Sequence, residues 1–550
     1  VRVKGSILIR TAMVAMFAAC LAARAVAAPP PPTVTPGAIG NEQQRQQQQI
    51  ENQQPSPQTA PQESPVVGPS SGGSGVPAAP GISFVLTGVT FDNSSFLAPD
   101  ELQAIAQPYV GKTVSFDDLA AIVAKVNALY KAKGQVTARA ILPPQKIQNG
   151  VVHIALVEGK LGKIDVVGAR HMSEDYVRDR IAVPPGAVID VKALTDAVVY
   201  FNRTNDAQVR ALLKPGSAFG ETDVELDLTE PPPDAIQIFV DNEGVDSTGK
   251  EEAGLYYKHT NLFFDGDRTT VYGTVSRGGI DGTVSYGAPF DTSGDRADVS
   301  YERNHIDIIH GQFNGLAIHG SGETANAGVT MPLVASREWL ITAELAGAYG
   351  TSRTVQTSGV VSDTATYREI GTLSITYIDP DLLAALNPSF AYAESHNAIL
   401  KKDEDFSLFT GQGTAIVPFA RTWSIHLNTA WQYSPQSLLP PDLLFQIGGP
   451  TSVRGYPSGT YAGDSGFYAN AELHHEFTDI SRGLDMFVFY DAGMVFSTSP
   501  PHRSLDAVGL GASYSPNQAV TISASVGIPL MQANPGQDGY QFYLQLAGRL

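Results

Sequence analysis

An arginine set among glycines is the residue of this chain with the most specific chemistry to offer. Arg454 lies in "LLFQIGGPTSVRGYPSGTYAGDSG", at the centre of the run Val453, Arg454, Gly455 and Tyr456. A guanidinium presents a planar fork that binds a carboxylate through two parallel hydrogen bonds where water is partly excluded. Gly448, Gly449 and Gly455 would let the loop that carries it turn tightly. The residue types alone leave two readings open: a loop folded against a carboxylate, or an exposed loop with a solvated arginine. Catalysis finds less support, since the sequence holds no HExxH, no metal-type spacing of Cys and His, and no GxxxxGK[ST] phosphate loop. The "LHH" stretch at 473–475 reads as a strand end, and His259 and His426 read as lumen or interface residues rather than ligands. No enzymatic activity, cofactor or metal is therefore expected.

The elements that must position Arg454 follow from composition and patterning. With 53 Gly and 37 Pro in 550 residues the chain is turn-rich, and a formal charge of −19 without a basic patch argues against nucleic acid as a partner. Residues 1–27 carry the marks of a secretory signal: Arg2, Lys4 and Arg10, then the apolar run "AMVAMFAACLAA", then the small residues Ala25 to Ala27. Cleavage after Ala27 would remove Cys20, the one cysteine, and leave a mature chain without thiol or disulfide. Beyond the signal there is no run of 18 apolar residues, so an ordinary helical membrane span is excluded. An exported soluble protein and a β-barrel are left.

Strand faces decide between them. In "LDMFVFYDAGMVF", Met486, Val488, Tyr490, Ala492, Met494 and Phe496 share one face, and Asp485, Phe487, Phe489, Asp491 and Gly493 the other. "RTWSIHLNTAWQY" alternates likewise, with Trp423, Ile425, Leu427, Trp431 and Tyr433 against Ser424, His426, Asn428 and Gln432. One such segment also fits a half-buried strand of a soluble sandwich. About 16 or 17 of them, between roughly 235 and 550 and separated by Gly, Asp, Asn and Ser-rich turns, predict a large closed barrel that satisfies every backbone group in lipid. The turn near 305–325 has no clear place in that count.

Ahead of the barrel, residues 28–81 are rich in Pro, Gln, Gly and Ser and cannot support a core. Within them "NEQQRQQQQIENQQ" fits either a linker or a polar helix over about Ile39 to Gln54. Two α+β units follow, over 82–160 and 161–232. In the first, Ser115 and Asp118 form a capping box before Leu119, Ile122, Val126 and Leu129 or Tyr130 at helical spacing. In the second, a helix begins at Asp190 and runs through "VKALTDAVVYFN". "EPPPD", Glu230 to Asp234, ends this region stiffly, and 233–550 is the barrel.

The order of these parts resembles the outer-membrane transporters of two-partner secretion, the TpsB family of ShlB/FhaC/HecB-type haemolysin secretion/activation proteins. "YKAKGQVTARAILPPQKIQNGVVHIALVEGKL", from Tyr130 to Leu161, is similar to the end of that family's first POTRA domain, and "QVRALLKPGSAFGETDVELDLTE", from Gln208 to Glu230, to the end of its second. "VDNEGVDSTGKEEAGLYYKHTNLFFDGD", from Val240 to Asp267, is similar to the start of its barrel. The resemblance implies two POTRA domains followed by a transmembrane antiparallel barrel of 16 strands. It further implies that the VRGY loop enters the lumen and that its arginine meets the aspartate of an F-x-D-x-G motif, here Phe489, Asp491 and Gly493. Asp491 lies on the face opposite the apolar stripe, as that pairing requires. The Gln-rich segment becomes a plug helix on a linker. One departure is Leu550, where family barrels often end on an aromatic residue.

The function implied is a pore that recognises an exported partner in the periplasm, through β-augmentation on POTRA strand edges, and passes it unfolded across the outer membrane. The expected partners are a secreted protein of haemolysin or adhesin type with an N-terminal secretion domain, outer-membrane lipid and the barrel assembly machinery, around a monomeric transporter. An outer-membrane protein insertase of the same superfamily is the alternative. Insertases usually carry more POTRA units and no plug helix.

Overall fold

The computed structural model describes residues 35–52, 66–67 and 83–550, apart from 185, 312–313, 358, 479–481, 499 and 518. The expected signal segment, 1–27, and most of the Pro-rich stretch before residue 83 lie outside the described residues. The described residues form two compact units, one holding 66–67, 83–231 and 335–337 and one holding 35–52, 232–334 and 338–550.

The first unit holds two α+β modules. In the earlier one, strand Val151–Val157 lies between Gly88–Phe91 and Arg139–Ile141, and helices Pro99–Ala106 and Phe116–Ala132 cover an apolar core. The long helix starts where its capping box says it should: Ser115 Oγ accepts from Asp118 N at 3.3 Å, and Ser115 N donates to the Asp118 carboxylate at 2.8 Å. That backbone N–H holds Asp118 below the usual carboxylate range. Leu119, Ile122, Val123, Val126 and Tyr130 form the buried stripe. Tyr130 also donates to Glu158 at 3.0 Å, tying the helix to the sheet's exit. In the later module Asp190 caps helix Val191–Thr204 by accepting from the N–H groups of Lys192 and Ala193. The sheet there runs Val66–Val67, Gln208–Pro215, Glu221–Thr229, Lys160–Val167, so two residues of the upstream segment add an edge strand.

The second unit is a closed antiparallel barrel of 16 strands, from Asp234–Asp241 to Gln541–Arg549, sealed by the pairing of its first and last strands from Gln237↔Arg549 to Asp241↔Gln545. Closure leaves no edge, so every strand finds its ladder partners without water. The turn near 305–325 falls between strands Arg296–Asp307 and His319–Ala335 and adds no strand of its own. Along Leu484–Phe496, Met486 and Val488 are exposed on the outside, whereas Phe489, Asp491, Gly493 and Val495 are buried inside. Leu255, Val284, Val299, Leu345, Leu510 and Leu544 continue the exposed apolar outer surface.

Inside the barrel runs helix α1, Pro36–Asn52. It begins three residues earlier than the Gln-rich pattern suggests, at a proline whose fixed φ and missing N–H suit the first helical position; residues 53–54 lie outside the described residues. Its two isoleucines, three helical turns apart, pack on the wall: Ile39 beside Ile306, Ile308 and Ile318, and Ile50 beside Phe239, Tyr256 and Tyr272. Polar contacts join them, including Asn304 Nδ2 to Pro36 O at 3.1 Å and Gln412 Nε2 to Gln48 Oε1 at 3.0 Å.

The two faces of the wall differ in what they tolerate. Val488→Arg, on the outside and 56% exposed, should cost about 2–4 kcal/mol if at the bilayer midplane and less toward either interface. Asn428→Arg, on the opposite face of its strand, should be nearly neutral. The fraction of heat-modifiable, folded barrel in isolated membranes distinguishes the two, and equal losses would place both residues wrongly.

Candidate functional site

The loop 434–464, between strands Trp423–Tyr433 and Ser465–Glu476, folds back into the barrel. Its stem is a short ribbon of Phe445–Ile447 paired with Tyr461–Gly463. At its tip Gly449 N donates to Val453 O at 3.2 Å, and Ser452 Oγ accepts from Gly448 N at 3.0 Å, closing a compact turn. The tip is held by an apolar cluster that joins Ile447, Val453, Tyr456 and Tyr461 to Val495, Leu505, Ala507 and Ala533.

Arg454 spends every nitrogen of its guanidinium on the wall. Nε donates to Asp491 Oδ2 at 2.8 Å and Nη2 to Asp491 Oδ1 at 2.8 Å, while Nη1 meets Glu472 Oε1 at 2.6 Å. Its backbone N adds a third bond to Asp491, 3.0 Å from Oδ2. The Arg454 side chain is 11% exposed and that of Asp491 fully buried, so the charges face each other in a site largely stripped of solvent. Phe489 floors it, its ring centroid 3.5 Å from the guanidinium carbon. Phe489 and Asp491 reach the same pocket because residues two apart on a strand share a face. Gly493, next on that face, leaves room for Val453, whose Cγ2 would lie 2.9 Å from a Cβ there.

Gly455 has a φ of 98°, and a Cβ on Gly527 of the facing strand would sit 2.5 Å from its nitrogen. The two backbones touch because neither residue has a side chain. Tyr456 is buried beyond them, with its hydroxyl 2.9 Å from Asp506 O and accepting from Met531 N at 3.1 Å. Thus the structure places Val453 and Arg454 against Phe489, Asp491 and Gly493, while Gly455 and Tyr456 fix the same loop tip on Gly527, Asp506 and Met531.

Sequence reasoning missed the rest of the charge network. Glu472 Oε2 lies 2.8 Å from His474 Nε2, and His474 Nδ1 lies 2.6 Å from Asp485 Oδ2. His474 thus belongs to the inner face, and it is His475 that turns the other way, its ring 4.3 Å from that of Trp423. The signal was available only through register: Asn470 pairs with Asp491 and Glu472 with Phe489, so stepping two residues from the partner of Asp491 reaches Glu472.

Helix α1 covers the loop from the other side. Arg45 Nη1 donates to Gln446 O at 3.0 Å, Gln446 Nε2 to Ala38 O at 3.0 Å, and Asn41 Nδ2 to Asp442 O at 3.0 Å. Thr451 donates to Glu42, which also pairs with Arg45. The loop is therefore a layer between wall and helix.

Comparison with known proteins places this geometry. Residues 220–515, more than half of the chain, match the family described as haemolysin secretion/activation protein ShlB/FhaC/HecB, and residues 84–159 match the POTRA domain, ShlB-type. The heme/hemopexin transporter protein HuxB of Haemophilus influenzae is 22% identical over 498 residues, covering 85% of this chain and 87% of that protein. The hemolysin transporter protein ShlB of Serratia marcescens is 24% identical, covering 80% and 81%. Among solved structures, CdiB from Escherichia coli superposes with a TM-score of 0.67 at 19% identity, covering 94% of this chain and 99% of that one. BamA from Haemophilus ducreyi lacking POTRA domains 1–3 gives 0.53 at 14% identity, covering 85% and 100%.

Breaking a buried pair strands its partner's charge, at a cost of about 3–5 kcal/mol. Asp491→Asn should therefore free the loop for protease cleavage within 445–463 in the intact chain, and Glu472→Gln, which touches a single guanidinium nitrogen, should do so less. Equal cleavage rates in the two variants would contradict this ranking.

Proposed function

Since the chain belongs to the ShlB/FhaC/HecB family of haemolysin secretion/activation proteins, we propose that it captures an exported partner in the periplasm and conducts it, unfolded, through its barrel. As a member of that family it is an outer-membrane transporter with its POTRA domains in the periplasm, and not an enzyme. The partner proposed is a secreted protein of haemolysin or adhesin type with an N-terminal secretion domain, in keeping with the hemolysin and heme/hemopexin transporters among its relatives. POTRA strand edges would receive the partner as an added extended strand. The transporter works as a monomer in lipid, which meets the apolar outer band, after assembly by the barrel machinery.

The observation that carries the reading is the stack of wall, loop and helix. The lumen holds two layers, the loop anchored on the wall and the helix over it, and the contacts between them are hydrogen bonds of side chains and carbonyls that water can replace at little net cost. Departure of α1 strips the loop of its bonds to Ala38, Asn41, Glu42 and Arg45 but leaves Arg454 on Asp491 and Glu472. The plug therefore clears the path while the loop keeps its place against the wall. Direction comes from folding of the partner outside, as no phosphate-binding loop is present in the sequence.

Export of the protein encoded beside this one tests the reading, with each barrel first shown to be folded by heat-modifiability. Arg454→Ala and Asp491→Ala should each reduce export at least tenfold, and the exchange Arg454→Asp with Asp491→Arg should restore part of it. Deletion of residues 36–52 should raise single-channel conductance. Undiminished export in both alanine variants would remove the loop contact from the mechanism. Failure of other outer-membrane barrels to assemble when the gene is deleted would instead favour an insertase.

A further inference from the structure

We propose that His426, Glu472 and His474 form a binding site for a divalent transition-metal ion, Zn2+ being the best fit, on the inner wall of the barrel. Among the described residues this group brings its ligand atoms within 4.8 Å of one another, near enough for an ion to draw them in. The ladder explains the convergence. His426 pairs directly with Glu472, and Ser424 pairs with His474. All four side chains point inward from two adjacent strands, with the ligands at neighbouring positions of one face.

Two imidazoles and one carboxylate, with a position left for water, are a donor set that zinc takes readily, with ligand distances of about 2.0–2.2 Å. The site also has the outer support that metal-binding histidines show. Asp485, on the next strand, holds His474 Nδ1 at 2.6 Å, and Ser424 Oγ lies 3.0 Å from His426 Nε2. The two rings stack with centroids 3.8 Å apart and planes 19° from parallel, so their in-plane lone pairs run side by side, and binding an ion requires one ring to turn about its side-chain bonds until both aim at one point.

The carboxylate of Glu472 is divided in a way that suits an ion. Oε1 belongs to Arg454, and Oε2 faces His474 Nε2 at 2.8 Å. A cation seated on Oε2 would displace that one hydrogen bond and leave the guanidinium contact intact. Charge favours it as well: Glu472 and Asp491 flank the guanidinium of Arg454, and Asp485 adds a third carboxylate on the far side of His474, so carboxylates outnumber guanidinium in the group and a cation is welcome there. The bound ion would pin Glu472, and with it the third anchor of the loop. His426 makes no hydrogen bond to Arg454 or Asp491 among the described residues, so it can be changed without touching that contact. The site stands whether or not the barrel conducts protein.

The full chain, purified in detergent without a polyhistidine tag, would be loaded with Zn2+, passed into metal-free buffer and analysed for bound zinc by mass spectrometry. One equivalent should be retained. The folded His426→Ala barrel should hold it at least tenfold more weakly, and His396→Ala, at an exposed histidine paired with Asp403, should bind like the wild type. Co2+ in place of Zn2+ should give the intense visible bands of four- or five-coordinate cobalt, and their loss in His474→Gln would tie them to this site. No retained zinc in the wild type, or equal retention in His426→Ala, would overturn the proposal. Should His426→Ala fail to fold, the wild-type cobalt spectrum decides alone: only the pale absorption of six-coordinate cobalt overturns the site.

Discussion

A guanidinium that has given up its water must find acceptors for its donors in the protein, and in this barrel that requirement organises everything inside the wall. Arg454 needs Asp491 from one strand and Glu472 from its neighbour, and both must stand on the inner face at matching height. The loop must then enter deep enough to present the arginine, which its paired stem and glycine turns permit. A buried ion pair contributes little net stability compared with an apolar replacement. What this one supplies is position, because two oxygens of Asp491 and one of Glu472 define the plane and depth of the fork. Tyr456 and the contact of Gly455 with Gly527 fix the same tip from another side, so the loop is located by charge, by shape and by hydrogen bonding at once.

The wall makes such a site affordable. In a soluble domain the interior must be apolar to drive folding. Here the outer face meets lipid and carries the apolar residues, and closure of the sheet satisfies the backbone. The inner face is thereby free to hold carboxylates, histidines and amides. The same freedom explains α1, whose sequence is too polar to pack against an ordinary core. Two isoleucines on one side anchor it, and the lumen supplies partners for its glutamines.

How much of this was legible in the sequence depends on the range of the cause. Alternation along Leu484–Phe496 is set by lipid against that very strand, so the faces, and Asp491 on the inner one, could be read locally. The capping box at Ser115 is equally local. The strand count carried an ambiguity of one because the turn near 305–325 contains a second apolar stretch that serves a loop. The start of α1 was misplaced because "PGAIG" looks like a turn until the lumen wall is there to receive it. Glu472 and His474 were not legible, since the register between two strands leaves no mark on either one. That Arg454 would face Asp491 came from family resemblance, with parity as its local support.

The glutamines of α1 have a chemical identity beyond filling space. A glutamine side chain ends in a carboxamide, the same group that repeats along every polypeptide backbone. The contacts that Gln44, Gln46 and Gln48 make with Glu302, Glu243 and Gln412 are therefore of the kind any extended chain offers at each residue, whatever its side chains. A surface that holds carboxamides through replaceable bonds is indifferent to sequence and slow to adhere. Under the proposed function, the helix thus resembles, group for group, the polypeptide for which it would make way.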